Sequence, residues 1–229
     1  RNKMRIVNPI SIPTPIAKIV SAVKTGTTIA TITTNVPHGL TAGASSVMIK
    51  GIRDQAAASF PNMSSALYIA SVVSPTVFTI VIGTAGTATS YGGCVVPGNG
   101  QNDLAGFIVS IPQTVARDSS GIVTVVGYAN WSGLNIGEYI DLYGCLGSTG
   151  NDLGLDGVYK VNNTLTTTLT LEPVKNLDGT YTVNGLGNPV TPSGAVINTT
   201  NCGGAVILRS TMRMHDITSV SYNKQMVQM

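Results

Sequence analysis

The stretch that decides the fold is Asn35-Val36-Pro37-His38-Gly39-Leu40-Thr41-Ala42-Gly43, with Val47-Met48-Ile49-Lys50-Gly51 behind it. It predicts a strand end, a corner and a new strand. Pro37 fixes its own φ and pushes Val36 into the extended region, while Gly39 and Gly43 allow backbone angles that other residues avoid. A second copy follows at Trp131-Ser132-Gly133-Leu134-Asn135-Ile136-Gly137 and runs into Tyr139-Ile140-Asp141-Leu142-Tyr143-Gly144. The pairing predicts an internal duplication, with corners at His38, Gly39, Leu40 and Gly43 and at Ser132, Gly133, Leu134 and Gly137.

Working outward, Thr28-Ile29-Ala30-Thr31-Ile32-Thr33 alternates apolar and polar residues with the period of a half-buried strand. Leu67 to Val73 and Val77 to Ile82 flank Ser74-Pro75-Thr76, which predicts a hairpin. A Gly/Thr-rich loop then leads to Tyr91-Gly92-Gly93-Cys94-Val95-Val96. In the second copy, Gly121 to Val126 matches the opening strand. Tyr159-Lys160-Val161 matches Tyr68-Ile69-Ala70, Thr168 to Leu171 matches Val77 to Ile80, and Gly203 to Ile207 matches Gly92 to Val96.

The expected organisation is an extended N-terminal arm over 1–24, a first β module over 25–97 and a linker strand over 98–118. A second β module over 119–208 follows, with an inserted hairpin at about 173–201, and a C-terminal strand or tail over 209–229. For the first segment, rich in Pro9, Pro13 and Pro15, the alternative is a strand that closes the first module. The fold class is all-β: two tandem small barrels or sandwiches related by duplication.

Charged residues make up only 10% of the chain, against about a quarter in ordinary globular proteins. Few charges suit a subunit whose faces are covered by neighbours. The net charge of +3 is scattered and aromatics are 5%, so the basic stripe and stacking platforms of a nucleic-acid binder are missing. No apolar run approaches the ~20 residues that span a bilayer, and no signal-peptide pattern opens the sequence. Cys94, Cys145 and Cys202 lack CxxC spacing and nearby histidines, which predicts small buried thiols rather than a metal site.

Candidate chemistry is thin. His38 has no nucleophile motif beside it, so its ring is expected to bond backbone and lock the corner. His215-Asp216 lies in an alternating stretch, which sends the two side chains to opposite faces. Asn151 to Gly157 holds oxygen ligands but lacks the acidic pattern of a calcium loop, and is expected to be a turn. No catalytic residue, metal or cofactor is expected. Trp131, the sole tryptophan, is expected to bury against its corner, or, with Tyr181 of the inserted hairpin, to contact an interface or receptor glycan.

The order His38-Gly39-Leu40, Gly43, an apolar strand to Gly51, Tyr68 and then Thr76-Val77-Phe78-Thr79-Ile80 resembles a β-barrel module of tailed-bacteriophage structural proteins. The resemblance covers residues 27–96 well and 120–207 loosely, where Ser132 replaces the histidine and Leu169 the phenylalanine. It implies a scaffold and assembly role without catalytic residues. The expectation is a virion subunit of the tail or baseplate, assembled in the host cytoplasm as a symmetric homo-oligomer with other virion proteins, without nucleic acid or membrane insertion. A head decoration, head-to-tail connector or fibre subunit is the alternative within that class, and a glycan or receptor-binding module the alternative outside it.

Overall fold

A computed structural model describes residues 15–52, 60, 67–98, 108–110, 114–126, 131, 134–174 and 196–208. Among them the chain is all-β, without a helix. The first barrel is built from β1 (Ala17–Thr25), β2 (Ile29–Thr34), β3 (Ser46–Lys50), β4 (Leu67–Ser74), β5 (Val77–Val81) and β7 (Cys94–Pro97), with β6 (Thr87–Ser90) attached to β1. Its neighbours run β1-β2-β5-β4-β3-β7 and back to β1, all antiparallel, so the sheet closes on itself. Alternation along the strands fills the interior: Ala30 and Ile32 point in, as do Phe78 and Ile80, while Ile29, Thr31, Thr79 and Val81 point out. Closure leaves few free edges, which is how a small all-β unit avoids edge-to-edge aggregation.

The second barrel comprises β8 (Ile108–Ser110), β9 (Thr114–Arg117), β10 (Val123–Val126), β11 (Tyr139–Gly147), β12 (Gly157–Thr164), β13 (Thr168–Pro173) and β14 (Ile197–Leu208). It closes in the order β9-β10-β13-β12-β11-β14. Most of the register repeats between the barrels. Ile32 faces Phe78 as Val125 faces Leu169, and Ile49 faces Val95 as Leu142 faces Val206. The two barrels differ in how the strands are divided. β1 is one strand in the first, and its positions in the second are taken by β8 and β9. β14 is continuous in the second, and its counterpart is split into β6 and β7.

The duplicated barrels are therefore real, with corrections to detail. Ile69 pairs with Ile80, and Val161 with Leu171, each beside a bulge, so Tyr68 corresponds to Lys160 and not to Tyr159. The bulge at Val73, present only in the first copy, conceals this one-residue offset. A one-residue slip changes the face: Tyr68 is exposed on the outer wall, whereas Tyr159 is buried and donates its hydroxyl to Leu155 O at 2.9 Å.

The boundary at 24/25 falls inside β1 (Ala17–Thr25), which pairs with β2 and β7 to close the first barrel. The linker strand over 98–118 contributes β8 and β9 to the second barrel, and residues 197–201, given to the inserted hairpin, belong to β14. The Gly/Thr-rich loop contains strand β6. The remainder of the N-terminal arm, most of the inserted hairpin and the C-terminal strand lie outside the described residues.

Candidate interaction site: two corners and a glycine seam

The first corner is laced to the β4–β5 turn. His38 N–H donates to Pro75 O (2.9 Å) and Thr34 N–H to Thr76 O (2.8 Å). The imidazole is buried, accepting Leu40 N–H at Nδ1 (3.0 Å), with Nε2 3.2 Å from Ser74 O. An acceptor at Nδ1 places the ring proton on Nε2, which then donates to Ser74 O. Phe78 meets the ring edge-on at 5.1 Å between centroids. Both nitrogens are held by backbone, so the ring serves the turn.

The segments that follow the two corners share hydrogen bonds. Gly43 N–H donates to Ile69 O, and Gly137 N–H to Val161 O, both from left-handed backbone. Ser45 Oγ accepts Thr41 N–H as Glu138 Oε2 accepts Asn135 N–H. Ser132 and Gly133 lie outside the described residues; Leu134 is buried and donates its N–H to Trp131 O. Trp131 is 1% exposed within the second core, together with Leu134 and Tyr159, so its ring offers no face to a surface ligand. Tyr181 and His215-Asp216 lie outside the described residues.

What the sequence reading did not find is the seam between the barrels. Gly93 N–H donates to Gly144 O (2.9 Å), and Gly204 N–H donates to Gly51 O (2.7 Å). By register Gly51 corresponds to Gly144 and Gly93 to Gly204, so one bond is the two-fold image of the other. A Cβ on Gly51 would land on the carbonyl of Gly204, one on Gly144 on the carbonyl of Gly93, and one on Gly92 would lie 2.7 Å from Gly203 C. Only glycine lets two backbones approach this closely. Outside the glycines, Met48, Cys94 and Val96 join Ala205 and Ile207 in a small apolar core, with Tyr143 packed on it. The Gly-Gly pairs were visible in the sequence as repeat markers, but nothing local says that they meet.

An ion pair crosses the seam. Lys18 of β1 pairs with Asp156, whose carboxylate also accepts Gly144 N–H (2.9 Å) and Cys145 N–H (2.8 Å). Lys18 Nζ also stands 5.2 Å from the centre of the Tyr143 ring. Within Asn151–Gly157, Asp152 accepts Gly154 N–H and bridges to Leu146, and Asp156 serves the seam; no group of three metal-binding side chains occurs among the described residues. Each barrel also buries a basic residue at one shared position. Lys24 reaches Thr84 O (3.2 Å) and Phe60, and Arg117 reaches Gly154 O (3.2 Å).

The cysteines are free and buried. Burial pushes the Cys94 and Cys202 thiols up to about 12, and Cys145 well above its ordinary value, with Asp156 adding to the shift at Cys145. Thiols so shifted are poor nucleophiles and poor metal ligands. No family model, no curated protein and no solved structure matches this chain.

Proposed function

We propose that this protein is a non-enzymatic structural subunit of a tailed-bacteriophage virion, in the tail or baseplate, acting by protein–protein assembly with copies of itself and neighbouring virion proteins. The observation that supports assembly is the outer wall of the first barrel. Strands β6, β1, β2, β5 and β4 present no charged side chain to solvent: Lys24 is buried and Lys18 is engaged at the seam. The wall instead offers Thr and Ser rows with Val20, Ile29, Tyr68, Val73 and Val81 exposed, and Ile29 sits directly opposite Val81. Charge is depleted at interface cores, and a wall without charge has little to keep it single in solution. The phage setting rests on the sequence resemblance alone.

Sedimentation of the purified chain tests the assembly reading. The wild type is expected to form a discrete oligomer, and Thr31→Lys with Val81→Lys to shift it to monomer, with folding stability changed by no more than about 0.5 kcal/mol each. A wild-type chain that stays monomeric at every concentration and binds glycans defeats the reading and favours a receptor module. Antibody labelling of particles separates tail or baseplate from head, connector and fibre positions, and particles that never carry the label remove the virion role.

A further inference from the structure

We infer that the seam is a two-fold interface made from two copies of one surface, and that Lys18, Asp156 and Tyr143 are the residues that make unlike barrels the preferred partners. The reciprocal glycine bonds are the first ground. The second is that β1 packs against β11 while β3 packs against β8, and β8 and β11 are the register counterparts of the first part of β1 and of β3. Such a contact is isologous, and the partner each half fits is another barrel bearing the same glycine-strand-glycine edge.

A surface of this kind accepts like or unlike barrels equally unless something breaks the symmetry. Tyr143 occupies the position that Lys50 holds in the first barrel, and Ser110 the position of Lys18. Two first barrels paired through this surface would set Lys18 against Lys50, cation against cation. Two second barrels would bury Asp156 without Lys18. Only the unlike pair gives Lys18 both a carboxylate and an aromatic face. The unlike pair is thus favoured twice, by its own attraction and by the defects of the alternatives. The inference concerns how the molecule holds itself together and does not depend on the virion reading.

Amide exchange on the full chain tests it, read at Gly204, whose N–H crosses the seam, with the amides of β2 and β10 reporting each barrel. Lys18→Glu is expected to speed exchange at Gly204 by about tenfold or more while β10 stays protected, because a partly buried attractive pair is turned repulsive. Lys18→Arg, which keeps a cation for Asp156 and for the Tyr143 ring, should leave exchange slow. Unchanged exchange at Gly204 in Lys18→Glu, or exchange in Lys18→Arg as fast as in Lys18→Glu, overturns the inference. Should Lys18→Glu also unprotect β2, Lys18→Met decides: faster exchange at Gly204 with β2 intact supports the role, and wild-type exchange removes it.

Discussion

His38 shows how a residue that attracts catalytic interpretation is spent on structure. Its ring accepts one backbone N–H, faces one carbonyl and meets the edge of Phe78, all within a turn that fixes the entry to β3. Each hydrogen bond contributes about 1 kcal/mol and the aromatic contact about 0.5–1.5 kcal/mol, so His38→Ala is expected to destabilise the chain by about 2–4 kcal/mol. A denaturation midpoint measures it, and a loss below about 0.5 kcal/mol would remove the ring's role as a clasp. The expected corner was legible because Pro, Gly and a short polar run restrict the backbone locally. The ring's partners were less so, since Ser74 O and Phe78 come from a distant hairpin. Trp131 is the reverse case: its neighbours in the second core, not its own identity, put its ring out of solvent.

Among elements, the glycine-ended strands β3 and β11 carry the largest consequence. Gly51 and Gly26 both have left-handed backbone, with φ of 79 and 71 degrees. A Cβ on Gly26 meets nothing, whereas one on Gly51 collides with the other barrel's backbone. Gly26→Ala is therefore expected to cost only the conformational strain, about 1–2 kcal/mol. Gly51→Ala should cost clearly more, and should resolve one thermal transition into two as the barrels part. Equal melting behaviour in the two variants would show that the seam yields without penalty. The β4 offset carries a related lesson. Matching tyrosine to tyrosine paired Tyr68 with Tyr159, but a bulge shifted the register and sent one ring outward and the other into the core. Bulges leave little trace in an apolar pattern, because one inserted residue looks like a slip of the alignment.

For the whole molecule, two closed cores joined by a third, smaller one predict a particular pH response. Burial holds Cys94 and Cys202 protonated, raising their thiols from 9.0 to about 12, and it raises Tyr143 from 10.0 to about 12, with Cys94 and Asp156 adding to the Tyr143 shift. The folded state keeps these protons where the unfolded chain has released them, so their contribution is complete below pH 9.0 and declines as pH rises toward about 12. Melting temperature is expected to fall steeply across that window. Cys94→Ala should flatten the fall, because Cys94 lies in the seam core. An unchanged slope in that variant would place the alkaline loss elsewhere.

The sequence by itself determined the all-β class, the two copies and the hairpin of β4 with β5. Alternation, turn residues and repeated glycines act over a few residues and survive duplication. Only the tertiary structure decided that β1 closes the first barrel, that the linker supplies two strands of the second, and that Lys18 meets Asp156 across a glycine seam. Those facts depend on surfaces assembled from segments far apart in the chain. A strand pattern specifies which face is apolar, but the partner for that face is fixed by barrel closure and by the close approach that Gly51, Gly93, Gly144 and Gly204 permit.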